Sequence, residues 1–199
     1  MKKNISIVIV DNFDSFTFNL FHYLQPVASH VTVLRNNEVS VKSLKNFDAV
    51  LISPGPGLPK DVPVLKEIIL EFGLKKDVLG ICLGHQAIAE AFGGELYNMH
   101  EVWHGVYRQT KIVSEDYIFN GLPKIFLSGR YHSWAVSDEG LPPCLQIIAR
   151  DNDGTIMALS HKKLHIKGIQ FHPESILTPY GKMIICNWVK SITSCPEKR

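Results

Sequence analysis

One stretch near the middle of the chain, residues 78–94 (VLGICLGHQAIAEAFGG), limits most strongly how this protein can fold. The apolar run 78–81 predicts a buried strand, and the residues from Leu83 onward, rich in Ala, Ile and Glu, predict a helix. Between them lies a G-x-C-x-G sequence with Cys82 at its centre, the sulfur counterpart of a strained strand-to-helix turn. Two glycines permit a corner this sharp, because a side chain at either position would collide with the neighbouring strand or helix. We expect the corner to lift the sulfur out of the core and to place it at a helix N-terminus, which favours a thiolate.

A free cysteine is more often a small buried hydrophobic residue than a nucleophile. Here the flanking glycines and the change from strand to helix favour the nucleophile. A thiol nucleophile needs a base, and residues 168–175 (GIQFHPES) offer one. His172 and Glu174 are two residues apart, so in an extended chain they project to the same side. A His-x-Glu pair alone is weak evidence, but with Cys82 it completes a predicted Cys-His-Glu triad, in which the carboxylate orients the imidazole.

The first half of the chain alternates strand-like and helix-like segments. Apolar, β-branched runs predict buried strands at 5–10, 31–34 and 47–52. A helix capped by Ser15 and ending near Leu24 follows the first of these, and helical spacing at 62–72 follows the third. This alternation predicts βαβ units and an α/β fold with an open, mostly parallel, flavodoxin-like sheet that has helices on both faces. The site is then expected beyond the carboxyl ends of the strands, where the loops after Val10 and Ile52 meet Cys82.

After Gly94 the pattern changes to alternating segments joined by turns. These segments are 103–113, 125–136, 145–150 and 155–160, and the Asn-Asp-Gly at 152–154 is a strong hairpin signal. They predict an added antiparallel strand region, after which 166–171 returns to the parallel core and 180–192 forms a closing helix. No linker composition interrupts the chain. We therefore expect one domain over 1–193 and a C-terminal tail over 194–199.

The composition fits a soluble globular protein of 199 residues, with 45% hydrophobic and 20% charged residues. A formal net charge of +2 is too small to predict a nucleic-acid or membrane partner. The 4 cysteines lack the short paired spacings of zinc sites and disulfide frameworks. The apolar run 5–10 is too short for a signal peptide, and no G-x-G-x-x-G follows it. We therefore expect a cytoplasmic protein without a metal or a cofactor.

Four motifs together resemble those of the class I, or triad, glutamine amidotransferases. They are DNFDSFTFNL (11–20), SPGPGLP (53–59), GICLGHQ (80–86) and GIQFHPES (168–175). The first two are most similar to the branch that contains the amidotransferase subunits of anthranilate synthase (component II) and of 4-amino-4-deoxychorismate synthase. The resemblance covers nearly the whole chain. It implies hydrolysis of L-glutamine and delivery of ammonia to a separate synthase subunit that aminates chorismate, forming a heteromer.

The resemblance also implies roles for residues outside the triad. The backbone N–H groups of Gly57 and Leu83 would form the oxyanion hole, and the glutamine-binding residues would be Gly55, Pro56, Gly57, Gln86, Ser133 and Trp134. The residues at 53–57 independently predict a stiff loop whose bare glycines let an N–H approach an oxyanion, although a rigid turn alone would use the same residues. The chain departs from the family at three positions. Pro63 stands where the family commonly has Gly, Val106 where it often has Lys, and Trp134 where it usually has Leu.

Three alternatives remain at this stage. The subunit could serve aminodeoxychorismate synthase, or both synthases, because the residues do not distinguish the two products. An autonomous γ-glutamyl hydrolase would use the same triad, but the PGPG loop and the DNFDSFT stretch favour the amidotransferase. A noncatalytic flavodoxin-like binding module would not need Cys82, His172 and Glu174 together.

Overall fold

A computed structural model describes residues 3–192 of the chain. The strands are β1 (Lys3–Asp11), β2 (Ala28–Arg35), β3 (Ala49–Ile52), β4 (Asp77–Ile81), β5 (Leu96–Asn98), β6 (Val106–Ile112), β7 (Ile125–Arg130), β8 (Trp134–Val136), β9 (Leu145–Asp151), β10 (Ile156–His161) and β11 (Ile166–Ile169). The helices are α1 (Thr17–Leu24), α2 (Pro63–Glu67), α3 (Leu83–Ala91) and α4 (Gly181–Ile192), with 3₁₀ turns at Val41–Leu44, Pro59–Asp61 and Tyr117–Phe119. The predicted tail, 194–199, lies outside the described residues.

The main sheet has nine strands in the order β2-β1-β3-β4-β11-β10-β9-β6-β7. The pairs among the first five strands are parallel, and the pairs from β11 to β7 are antiparallel. This confirms the predicted parallel sheet with an added antiparallel region. Strand β11 is the junction of the two halves, because it pairs in parallel with β4 on one side and antiparallel with β10 on the other.

Two hydrophobic clusters cover the two faces of the parallel half. Alternate residues of β1 enter different clusters, with Ile7 in one and Val8 in the other, as the two-residue period of a strand requires. Helices α1 and α4 cover the first face and contribute Leu20 and Trp188. Helices α2 and α3 cover the second face, where Ile88 is buried. Burial of each large apolar side chain stabilises the fold by about 1.5–3 kcal/mol.

The segment predicted as a helix over 62–72 is divided. Pro63 is the first residue of α2, where its missing N–H removes no helical hydrogen bond, so this departure from the family pattern is compatible with the helix. A π-helical turn, Ile68–Phe72, continues α2. Within residues 3–192 no helix combines the length and apolar character needed to cross a membrane.

Two details of the sequence-based prediction were wrong. Ser15 does not cap α1; Phe16 is the residue before the helix, and Asp11 and Asp14 bind the first turn instead. Thr17 Oγ1 donates to Asp11 Oδ1 at 2.8 Å, and the Phe16 N–H donates to Asp14 Oδ2 at 2.8 Å. The segment 125–136 is not one strand, because it breaks after β7 and its last part, β8, pairs with β5 in a separate two-stranded sheet.

Candidate active site

The turn from β4 into α3 has the strained geometry predicted for it. Cys82 has φ +50° and ψ −99°, a left-handed backbone conformation that residues with a side chain rarely adopt. A Cβ on Gly80 would lie 2.3 Å from the Gly84 carbonyl oxygen, and one on Gly84 would lie 2.7 Å from the Ile52 carbonyl oxygen. Both glycines are therefore required by backbone packing. The sulfur-bearing residue is only 7% exposed, so Cys82 is less lifted out of the core than expected.

His172 and Glu174 follow β11, the strand beside β4. Nδ1 of His172 lies 2.6 Å from Glu174 Oε1, and both side chains are buried. Burial by itself lowers the pKa of His172, but interactions of the imidazole with the nearby Cys82 side chain and with Glu174 leave this pKa well above its usual range. The structure thus brings all three predicted triad residues together.

The turn that carries His172 is held by neighbours to which the sequence analysis assigned no role. The ring of Tyr131 lies 4.7 Å from the imidazole, centroid to centroid, and its hydroxyl is 3.1 Å from Ser175 Oγ. Thr178 Oγ1 donates to the His172 carbonyl at 2.6 Å and accepts the Gly129 N–H at 2.9 Å. These contacts hold the backbone of the turn, and the Tyr131 ring packs beside the imidazole.

The loops after β1 and β3 meet at the turn, as predicted. The backbone N–H of Asn12 donates to Ser53 Oγ at 2.9 Å, and Asn12 Nδ2 donates to the Ser53 carbonyl at 2.8 Å. Gly55 packs so closely that a Cβ there would lie 2.4 Å from the Asn12 Cβ and 3.1 Å from Leu83 Cδ2. Gly57 has φ +80°, a conformation that suits glycine, and Pro56 lies between these two glycines.

A chain of amide hydrogen bonds connects Gln86 and Trp134 to the sulfur. Gln86 Nε2 donates to the Trp134 carbonyl at 2.8 Å and to Gln170 Oε1 at 3.2 Å. Gln170 Nε2 in turn donates to Cys82 Sγ at 3.5 Å. The neighbouring Ser133 accepts the Met99 N–H at 2.8 Å through its carbonyl. Because Trp134 uses its backbone here, the change from the family's usual Leu leaves this contact intact.

Comparisons with known proteins agree with the geometry of this site. The family model described as "Glutamine amidotransferase class-I" matches residues 8–192. The chain belongs to this family. Anthranilate synthase component 2 of Pseudomonas putida is 41% identical over 192 residues, covering 92% of this chain and 96% of that relative. The Aminodeoxychorismate/anthranilate synthase component 2 of Bacillus subtilis is 39% identical over 189 residues, covering 93% and 96%.

A crystal structure from Thermoplasma acidophilum, described as that of a candidate GMP synthase subunit, has a TM-score of 0.86. It shares 23% sequence identity and covers 98% of this chain and 96% of its own. At 23% identity this similarity shows that the two chains share a fold, and nothing more.

Two further histidines of this amidotransferase lie close to the site but differ from His172 in protonation. Burial lowers the pKa of His85 to about 4. Burial, together with the positive charge of Arg130, lowers the pKa of His132 to about 3. Both imidazoles are therefore neutral near pH 7. His85 packs directly on Gly168, where a Cβ would lie 2.8 Å from His85 Nδ1.

Proposed function

We propose that this chain is the glutamine amidotransferase subunit of an anthranilate synthase, which hydrolyses L-glutamine and passes the ammonia to a chorismate-using synthase subunit. The observation that carries the chemistry is the buried His172–Glu174 hydrogen bond beside a cysteine held in a strained turn. The choice of synthase rests on relatives about 40% identical that are named for anthranilate synthase.

In the proposed mechanism the Cys82 thiolate attacks the carboxamide carbon of glutamine, and the carbonyl oxygen becomes an oxyanion. His172 gives its proton to the leaving nitrogen, the C–N bond breaks and ammonia departs, leaving a γ-glutamyl thioester. His172 then takes a proton from water, which attacks the thioester. Collapse of the second tetrahedral intermediate releases glutamate and restores the thiolate.

The electrostatics of the site support this assignment of the acid. The raised pKa of His172 keeps a proton on the imidazole. The residue that protonates the leaving nitrogen must carry such a proton. His85 and His132 hold no proton to donate near pH 7, because burial lowers the pKa of each. Glu174 is assigned to orient the ring, since its carboxylate already accepts the hydrogen bond from Nδ1.

The oxyanion is assigned to two backbone N–H groups. Leu83 is the first residue of α3, and the first N–H groups of a helix have no partner within it. The Gly57 N–H would supply the second donor from the loop after β3. Prearranged donors of this kind stabilise charge in the transition state, and each is worth about a hundred- to a thousandfold in rate.

The proposed glutamine-binding residues are Gly55, Pro56, Gly57, Gln86, Ser133 and Trp134. The hydrogen bonds of Gln86 support its inclusion, because Nε2 uses both hydrogens on Trp134 and Gln170. Only Oε1 of Gln86 remains to contact substrate, and it accepts hydrogen bonds. Gln86 would therefore recognise an N–H group of glutamine.

The second candidate is service to aminodeoxychorismate synthase, alone or in addition. It is supported by the Bacillus subtilis relative, whose name includes both synthases. Either partner requires a heteromer, because ammonia released without an acceptor enzyme is wasted.

The test uses the chain purified in complex with its synthase subunit. Cys82→Ser should abolish product formation from chorismate and glutamine, yet leave product formation from chorismate and ammonia unchanged. Cys144→Ser, at a partly buried cysteine, is the control and should retain both activities. Chromatography of the product distinguishes anthranilate from aminodeoxychorismate. Glutamine-dependent activity in Cys82→Ser would show that another group is the nucleophile.

A further inference from the structure

The side chain of Gln170 is fully buried and contacts the sulfur of Cys82. We propose that Gln170 is a positioning residue that holds the Cys82 thiolate in place and stabilises its negative charge. The inference rests on the proposed function insofar as Cys82 is the nucleophile. It adds a hydrogen-bond donor to the sulfur that the resemblance to the family did not assign.

The hydrogen-bond network determines which end of the Gln170 amide faces the sulfur. The Trp134 backbone carbonyl can only accept a hydrogen bond, so the amide group of Gln86 must present Nε2 to it. The same Nε2 lies 3.2 Å from one end of the Gln170 amide, which must therefore be the accepting Oε1. Gln170 consequently presents its Nε2 donor to Cys82 Sγ at 3.5 Å.

The backbone around Gln170 aligns this donor with the rest of the triad. The Gln170 N–H is bound to the Met157 carbonyl at 2.9 Å, and the preceding Ile169 carbonyl accepts the Cys82 N–H at 2.8 Å. Side chains two residues apart on an extended chain project to the same side, which places Gln170 and His172 toward Cys82 together. One strand end thus supplies the backbone acceptor, the sulfur donor and the base.

A buried thiolate needs such a donor. Cys82 is 7% exposed, so little water is available to solvate a negative sulfur. A neutral amide can stabilise the charge without exchanging a proton with the thiol, unlike His172 on the same side. The amide chain from the Trp134 carbonyl through Gln86 to Gln170 also ties the position of the sulfur to the proposed glutamine pocket.

The test compares Gln170→Met, which keeps the approximate size but removes the donor, with Gln170→Glu, which keeps the shape but adds a negative charge. The probe is iodoacetamide, applied across a pH series, with the alkylated Cys82 peptide quantified by mass spectrometry. Since hydrogen bonds to charged groups are strong, we expect Gln170→Met to alkylate about tenfold more slowly at pH 7. We expect the pH profile of the Cys82 alkylation rate to move to higher pH in Gln170→Met, and to move further in the same direction in Gln170→Glu.

Matched controls make the alkylation result specific to Gln170. The titratable groups that surround the site in the wild type are retained in both variants: His172, Glu174, Asp14, His85 and His132. The Cys144 and Cys186 peptides in the same samples should alkylate at unchanged rates, which verifies that the variants are folded. Gln146→Met, at an exposed glutamine on β9, should match the wild type at Cys82.

Steady-state kinetics with the synthase complex supply the second measurement. We expect kcat for glutamine to fall about tenfold in Gln170→Met, because the thiolate population and its alignment both decline. A wild-type alkylation profile combined with a raised KM alone would overturn the proposal, because Gln170 would then only support Gln86. The alkylation result does not require Cys82 to be the nucleophile, so failure of the proposed function would be recognised separately through Cys82→Ser.

Discussion

The two neutral buried histidines should make the folded protein sensitive to mild acid. In the folded state the pKa of His85 is lowered to about 4 and that of His132 to about 3, mainly by burial, against an ordinary value of 6.5. As the pH falls below 6.5 the unfolded chain gains a proton on each imidazole, whereas the folded protein does not. Above pH 6.5 both imidazoles are neutral in the folded and unfolded states alike, and below pH 6.5 the free energy of unfolding falls progressively until the pH reaches the folded pKa values.

The size of the effect follows from these shifts. Between pH 7 and pH 5 each histidine should remove about 2 kcal/mol from the free energy of unfolding, or about 4 kcal/mol for the pair. That is a large part of the roughly 5–15 kcal/mol that stabilises a typical domain. His172 acts in the opposite direction, because its pKa is raised in the folded state, and it offsets part of this loss.

Urea unfolding followed by circular dichroism at pH 7 and pH 5 measures this loss directly. His85→Gln and His132→Gln should each reduce the difference between the two pH values by about 2 kcal/mol, whatever they do to stability at pH 7. His30→Gln, at an exposed position on β2, should leave the difference unchanged. If both core variants lose as much stability as the wild type between the two pH values, the buried histidines are not the cause.

Two further predictions concern the triad and the turn. Glu174→Gln can still accept a hydrogen bond from the His172 ring, so its glutamine-dependent kcat should fall less than that of His172→Ala. We expect His172→Ala to lose about a hundred- to ten-thousandfold in kcat. Equal losses of the two variants in steady-state assays would contradict these roles. Gly84→Ala would stabilise an ordinary helix, but here the added Cβ lies 2.7 Å from the Ile52 carbonyl oxygen. We expect a loss of about 2 kcal/mol in urea unfolding, and a gain would refute the packing argument.

The sequence predicted the parts of the site that depend on local chemistry. The turn at Cys82 could be recognised because its glycines and the change in hydrophobic period are all encoded within a few residues. The spacing of His172 and Glu174 likewise identified a pair that the structure joins at 2.6 Å. Loops at the ends of parallel strands necessarily meet at one edge, which is why Asn12 and Ser53 come together.

Other features depend on contacts between distant segments and had no local signal. Gln170 reaches Cys82 across 88 positions of sequence, and nothing in its own motif distinguishes a sulfur ligand from a core amide. The break after β7 arises because Trp134 pairs with Asn98 of β5 in a separate sheet, a pairing that alternation along 125–136 does not reveal. Ser15 was predicted as the helix cap from residue type alone, but Asp11 and Asp14 bind the first turn.

The position of β11 in the sheet also determines when the site can form during synthesis of the chain. Val78 of β4 pairs with Val50 of β3 and with Ile166 of β11, so the strand that precedes the cysteine lacks its second partner until almost ninety residues later. Such distant pairing is slow to form, because the entropy of closing a long loop opposes it until the contact is made. His172 and Gln170 follow in that same late segment. A nascent chain that has only the first four strands therefore carries Cys82 without the two residues that are proposed to act on its sulfur.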